Sequence, residues 1–185
     1  MRVIAIVGSP RENSNSGILA EEVLSAAAEE GARTQAFYTK DMKMCGCQGC
    51  AACSKEGRCV QEDDMTPLYG EIEAADAVVF ASPVYMCGMT GQLKLVLDRM
   101  FAFFGPDFSS RLPKGKQLGL VFTQGSPNAK DYADYFESVG EILHNLGFEK
   151  PESIVIGTGL GPAGQAVERK ELLDSARDLG KHLVK

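Results

Sequence analysis

The sequence predicts an α/β protein, a five-stranded parallel sheet wound in the order 2-1-3-4-5 and covered by helices on both faces in three α/β/α layers. Three observations carry the prediction. Apolar runs of strand length recur at residues 3–7, 34–38, 77–81, 118–123 and 153–156. Segments with helical spacing separate them. Runs such as VIAIV and AVVFA are apolar at every position, the pattern of strands buried on both faces, which is how parallel sheets sit beneath their crossover helices.

The helices follow in order. Residues 18–28 are rich in Ala, Leu and Glu, with Asn15 or Ser16 as the N-cap and Gly31 as the stop. A shorter helix covers residues 65–74. Apolar stripes at Leu93, Leu97, Met100 and Phe104, at Tyr132, Phe136, Val139, Leu143 and Leu146, and at Leu172, Ala176, Leu179 and Leu183 mark three more. No repeat, low-complexity tract or linker divides the chain. Its 185 residues, 44% of them hydrophobic, are enough for one core. The reading is one domain over 1–185 with a Cys-rich insertion at about 41–64 between the second strand and the short helix.

A net charge of −6 and a pI near 5.0 oppose an electrostatic grip on nucleic acid or on an anionic membrane, both of which need clustered cations. The apolar run at 3–7 is too short for a signal-peptide core or a membrane span, so the expectation is a cytoplasmic protein with small-molecule or protein partners. In a reducing cytosol, clustered thiols more often bind metal or carry redox chemistry than stay paired as structural disulfides.

In a doubly wound sheet the ligand lies outside the carboxyl ends of the strands, where the strand order reverses, here between the first and third. The loop after strand 1, GSPRENSNSG, leads into a helix, so its amides and hydroxyls converge on the positive end of the helix dipole. Ser9, Ser14, Asn15 and Ser16 supply small donors and Arg11 a forked cation. The segment carries neither G-x-x-x-x-G-K-[ST] nor G-x-G-x-x-G, and a phosphate monoester fits it best. The competing reading is a plain turn and cap. A true G-x-G-x-x-G does occur at Gly159, Gly161 and Gly164, but no further strand or ribose-binding acid follows it. It is read as a flexible loop at the ligand's rim. After strand 3, Pro83, Val84, Tyr85, Met86, Cys87 and Gly88 offer backbone and an aromatic ring to a flat aromatic ligand. Cys87 is read as a packed small residue before a thiol near that ligand.

Taken together, GSPR, the Cys-rich run followed by Glu62-Asp63-Asp64-Met65, SPVY leading to Gly91-Gln92-Leu93-Lys94 and Asp98-Arg99, and Thr123-Gln124-Gly125 resemble the NADPH-dependent FMN reductase family, and within it the iron-sulfur flavoprotein branch. The resemblance spans almost the whole chain. It implies a flavodoxin-like fold binding FMN, with the phosphate at Ser9, Arg11, Ser14, Asn15 and Ser16, and the ring at residues 83–88 with help from Thr123, Gln124, Gly125 and Ser126. Ser14-Asn15-Ser16 stands where many relatives have Gly-Asn-Thr, which keeps a hydroxyl at the last position.

Five of six cysteines fall within residues 45–59. Cys47-x2-Cys50-x2-Cys53-x5-Cys59 resembles the ligand motif of iron-sulfur flavoproteins, in which close spacing lets one loop turn around three corners of a [4Fe-4S] cube and a longer gap brings the fourth thiolate. A second register, Cys45-x4-Cys50-x2-Cys53, has [2Fe-2S] spacing without its distant fourth ligand. Zinc accepts four thiolates as well, and a loop of reduced, metal-free thiols stays open. The acidic run Glu62-Asp63-Asp64 is read as capping the next helix. His144 and His182 are read as structural or solvent-facing, and MFAFFGP as core or subunit contact.

The resulting expectation is an FMN-dependent redox protein passing electrons between a donor and an acceptor through FMN and a [4Fe-4S] cluster. The donor or acceptor is a small molecule or protein, NAD(P)H among the candidates, and the assembly is a homodimer or homotetramer. No acid–base triad is assigned, because the chemistry belongs to the cofactors. Two alternatives remain: a cluster-free NAD(P)H-dependent FMN or quinone reductase, and a non-catalytic module ordered by zinc.

Overall fold

The structure, a computed structural model, describes residues 1–185. In chain order the elements are β1 (Arg2–Val7), α1 (Asn15–Glu29), β2 (Arg33–Tyr38), α2 (Ala52–Glu56), α3 (Met65–Ala74), β3 (Ala77–Pro83), α4 (Gly91–Arg99), β4 (Gln117–Thr123), α5 (Ala133–Asn145), β5 (Ile154–Gly157) and α6 (Lys170–His182). The strands form one sheet in the order β2-β1-β3-β4-β5 with every pair parallel. This is the flavodoxin-like order that the sequence predicts.

Alternation along each strand divides the core in two. Val3, Ala5 and Val7 of β1, with Val79 and Ala81 of β3 and Val121 of β4, pack under α1 and α6. Ile4 and Ile6, with Val78, Phe80, Leu120 and Phe122, pack under α3, α4 and α5. Both faces of the three central strands are therefore apolar, as the continuous runs require. No helix is long and apolar enough to cross a membrane.

Several element boundaries differ from the sequence reading. α1 begins at Asn15 because Ser14 is the N-cap, its hydroxyl accepting from the Gly17 amide at 3.2 Å. Neither Asn15 nor Ser16 caps the helix. The stripe that runs to Phe104 breaks at Arg99, where α4 tightens into a 3-10 turn, Met100–Phe103, and leaves Phe104 extended. Tyr132 lies in the 3-10 turn before α5. α2, inside the Cys-rich insertion, has no counterpart in the sequence reading. Its five residues carry no buried side chain, and its ends are set by left-handed Ala51 and Gly57.

α1 and α6 approach so closely that a Cβ on Gly180 would lie 2.2 Å from the Val23 carbonyl oxygen. Alanine is the better helix former by about 1 kcal/mol, yet here it has no room. Gly180→Ala is expected to lower the unfolding free energy by about 1–3 kcal/mol, the usual cost of overpacking. Urea denaturation measures it, and an unchanged or raised value would contradict the close approach.

Candidate functional site

The carboxyl ends of β1, β3 and β4 open onto a crevice of about 210 Å³ lined by Ser9, Arg11, Ser14, Asn15, Ser16, Pro83, Val84, Tyr85, Thr123, Gln124, Gly125, Leu160, Gly161 and Ala163. Its floor is polar and buried. Ser9 and Ser16 are 1% and 0% exposed, and Gln124 is 2% exposed. Ser9 accepts from the Arg11 amide at 3.3 Å. Asn15 and Ser16 stand in the first turn of α1, whose amides have no partner within the helix.

Two buried side-chain atoms in this crevice have no hydrogen-bond partner, Ser16 Oγ and Gln124 Oε1. The Gln124 amide is oriented by its surroundings, because its nitrogen donates to the carbonyls of Asn128 at 2.8 Å and Ser126 at 3.3 Å. Its oxygen is left as an acceptor. A buried polar atom without a partner carries a desolvation cost of about 1–3 kcal/mol, and both residues line the crevice onto which the first turn of α1 opens. The donor set suits a ligand with an anionic head and a separate N–H donor.

The fourth wall is the loop that the sequence places at the ligand's rim. The loop at 159–164 is pinned, not flexible. Asn15 Nδ2 donates to the Pro162 carbonyl at 2.8 Å, and its Oδ1 accepts from the Ala166 amide at 3.0 Å. Arg11 Nη1 donates to the Gly161 carbonyl at 2.8 Å, and its guanidinium lies 6.0 Å over the Tyr85 ring. Leu160 is buried and lines the crevice with Gly161 and Ala163. The side chains of Arg11 and Asn15 thus hold a wall of the site.

Met86, Cys87, Gly88 and Ser126 are not in the crevice lining. Tyr85 and Gly88 close a tight turn by mutual backbone bonds of 2.8 and 3.1 Å, with Met86 and Cys87 at φ 46° and 65° at its tip. Met86 is 98% exposed, and Cys87 is exposed, not packed. Gly88 abuts Tyr135. The Ser126 hydroxyl donates to Asp131. His144 bonds the Phe148 carbonyl at 2.8 Å and His182 faces Glu152 at 3.2 Å, consistent with the structural reading of both.

A second cavity, of about 470 Å³, is lined by Cys47, Cys50, Cys53 and Cys59 together with Ala51, Asp98, Arg99, Phe101 and Ala102. Cys45 is not in its wall. The thiols are not drawn together at metal-binding spacing, although Cys53 lies within reach of the charges of the other three. Burial pushes the Cys53 thiol up, and those neighbours add to the effect. Burial also pushes Cys59 up, but the Gln61 amide and the Arg99 charge outweigh it and leave that thiol below its ordinary value.

The insertion is well anchored. Met42 and Met44 pack against the core. Across the loop's neck, Asp64 accepts from the Lys43 amide at 2.6 Å, Asp63 from the Cys45 amide at 2.9 Å, and the Gly46 carbonyl from Gln61 at 3.2 Å. Arg99 forks onto both Asp63 oxygens at 2.8 and 3.2 Å. Arg111 donates to the carbonyls of Cys53, Ser54 and Ala102 at 3.0–3.1 Å. The acidic run therefore does more than cap α3. Asp64 makes no side-chain cap, while Asp63 accepts from the Met65 amide and also neutralises a buried arginine.

A sequence profile described as NADPH-dependent FMN reductase matches residues 1–138. An iron-sulfur flavoprotein of Methanocaldococcus jannaschii is 33% identical over 199 residues, covering 100% of this chain and 96% of its own length. One from Archaeoglobus fulgidus is 36% identical over 185 residues, with 100% and 79% covered. Among solved structures, an NAD(P)H:quinone oxidoreductase from Methanothermobacter marburgensis superposes with a TM-score of 0.77 at 19% identity, covering 100% and 98% of the two chains, a likeness of fold.

Two outcomes are expected. Asn15→Ala removes both side-chain ties to the 159–166 segment, so hydrogen exchange at its amides should accelerate by roughly tenfold or more while the α6 core stays protected. Uniform exchange across both would remove the wall's dependence on Asn15. Burial pushes the Asp63 carboxyl up, but the bonds from Arg99 and from the Cys45 and Met65 amides outweigh it and hold it below its ordinary range. Its contribution is therefore complete above the unfolded carboxyl's pKa of about 4 and is lost as pH falls through the lower folded value. Thermal melts of Asp63→Asn should show a flatter acid limb than the parent below about pH 5.

Proposed function

The chain belongs to the NADPH-dependent FMN reductase family and is a flavin-dependent oxidoreductase, and from that premise we propose that the crevice at the ends of β1, β3 and β4 is its FMN site. The phosphate is received by the hydroxyls of Ser9 and Ser16 and by the first-turn amides of α1, where the helix dipole favours an anion. The ring lies along Pro83, Val84 and Tyr85, with Thr123, Gln124 and Gly125 at its edge. The single observation that carries this assignment is the buried, unpartnered Ser16 hydroxyl at the positive end of a helix. Gln124 Oε1 supports it, because the isoalloxazine ring offers a ring N–H to just such an acceptor.

FMN supplies the exchange between hydride and single-electron chemistry when bound. The chain's part is positioning: Arg11 and Asn15 hold the 159–164 wall, Tyr85 backs the ring, and buried Leu160 keeps water from one side. We further read Cys47, Cys50, Cys53 and Cys59 as the ligands of a [4Fe-4S] cluster. Support comes from their sharing one cavity that omits Cys45, which disfavours the [2Fe-2S] register, and from relatives named iron-sulfur flavoproteins. The insertion at about 41–64 then remains part of one domain over 1–185. A cluster-free reductase is the second reading, favoured by the spread of the thiols. NAD(P)H is the family's donor. A homodimer or homotetramer is proposed for the assembly.

Calorimetry with FMN tests the site. The parent should bind, and Ser16→Ala should weaken FMN by roughly tenfold to a hundredfold, the worth of a hydrogen bond to a charged group. The flavin-free variant should be as stable as the parent or more so, because the substitution removes a buried polar atom that has no partner. No uptake by the parent would refute the assignment, and equal affinity would remove Ser16 from it.

A further inference from the structure

α4 presents Leu93, Val96 and Arg99 as its buried residues, three apart along one face. Two are apolar, and the third is an arginine whose side chain is 1% exposed. A charge in the buried stripe of a helix persists only if it is paired and fully hydrogen-bonded. Arg99 has five N–H bonds to place. Nε donates to the Tyr69 hydroxyl at 3.3 Å. Nη1 donates to the Cys45 carbonyl at 2.9 Å and to Asp63 Oδ2 at 2.8 Å. Nη2 donates to Asp63 Oδ1 at 3.2 Å. One hydrogen, on Nη2, is left without an oxygen acceptor.

The two halves of the ion pair are not equivalent toward the thiols. Arg99 forms part of the wall of the cysteine cavity, beside Cys59, and Asp63 does not. Asp63 is instead held outside that wall by the amides of Cys45 and Met65. The fork fixes the pair, and Arg99 is the partner whose charge stands in the cavity wall that Cys59 shares. A solvated lysine would not hold this orientation, because only a planar fork binds both carboxylate oxygens and a carbonyl at once.

We propose that Arg99 is the positioning residue of the cysteine cavity, directing its remaining N–H and its charge at the Cys59 sulfur and so raising the reduction potential of the cluster held there. The inference rests on the cluster reading above. Adding one electron to a thiolate-bound cluster increases its negative charge, so a nearby cation and a hydrogen bond to sulfur favour the reduced state. Asp63, outside that wall, opposes the same electron. Removing the two partners must therefore shift the potential in opposite directions. A purely structural role has another signature: losing either partner loosens the same neck, exposes the same cavity, and moves both variants the same way.

The experiment is an anaerobic redox titration of the loaded protein, followed by electron paramagnetic resonance, for the parent, Arg99→Gln, Arg99→Lys and Asp63→Asn. The midpoint potential is expected to fall in Arg99→Gln, to rise in Asp63→Asn, and to lie between the parent and Arg99→Gln in Arg99→Lys, which keeps the charge without the fork. Should Arg99→Gln fail to fold, the upward shift in Asp63→Asn and the intermediate value in Arg99→Lys still decide. Shifts of the same sign in the Arg99 and Asp63 variants, or no shift, would overturn the proposal while leaving the cluster in place. Iron and acid-labile sulfide are assayed on the parent first. Their absence would overturn both the cluster reading and this one, and FMN uptake by the same preparation shows that the flavin reading survives.

Discussion

Parallel pairing is the constraint from which the rest follows. With five strands running one way, every carboxyl end reaches the same rim, and the reversal of order beside β1 separates the helices on either side of the crevice. The loops that meet there are bonded to one another. Thr90 Oγ1 donates to the Gly8 carbonyl at 2.6 Å, the Val84 amide to Thr123 at 2.7 Å, and the Leu160 amide to Gln124 at 2.9 Å. The crevice therefore inherits its geometry from the sheet's register. Gly8 is required in this chain of contacts, because a Cβ there would lie 2.5 Å from Leu93 Cβ and 2.9 Å from Thr90 Oγ1.

α4 extends this frame to the cysteines. Its N-cap, Thr90, is tied to the end of β1, and its last residue, Arg99, holds the neck of the insertion. Nine residues at a rise of about 1.5 Å each separate the two ends by about 13.5 Å. A segment with almost no regular structure is in this way indexed to the core at one end by Met42 and Met44 and at the neck by α4. The thiols of the cavity sit at a defined place relative to the crevice, although the loop that carries them has little packing of its own.

The sheet was legible because its three central strands are apolar almost without interruption, a signal that depends only on local sequence. The first loop was legible because small hydroxyl residues follow directly on a strand and lead into a helix. What escaped was long-range. Asn15 and Ser16 look like caps by residue type, but the cap is Ser14, and Asn15 reaches to Pro162 and Ala166 instead. The loop at 159–164 reads as a rim loop from its place after the last strand, but its glycines suggest flexibility, and the ties that pin it come from Arg11 and Asn15 at the other end of the chain. Arg99 and Asp63 are 36 positions apart, a pairing that no periodicity reveals. The apolar stripe read from the sequence runs through Leu93, Leu97 and Met100 and passes over Arg99, whose burial only the packed helix discloses.

The chain is acidic overall, with 19 Lys and Arg against 25 Asp and Glu, and the cations at its two sites are arginines. Arg11, Arg99 and Arg111 share one way of working. Each donates to backbone carbonyls outside the sheet: Gly161 of the rim loop for Arg11, Cys45 at the neck of the insertion for Arg99, and Cys53 and Ser54 of the short, unburied α2 for Arg111. The guanidinium suits this task because its charge does not titrate and its donors are fixed in one plane, so binding a carbonyl orders few extra degrees of freedom. A lysine in the same place would bring a mobile, strongly hydrated charge. Arg11 and Arg99 stand in the walls of the crevice and of the cysteine cavity, so at each site the side chain that braces a loop also adds a positive charge.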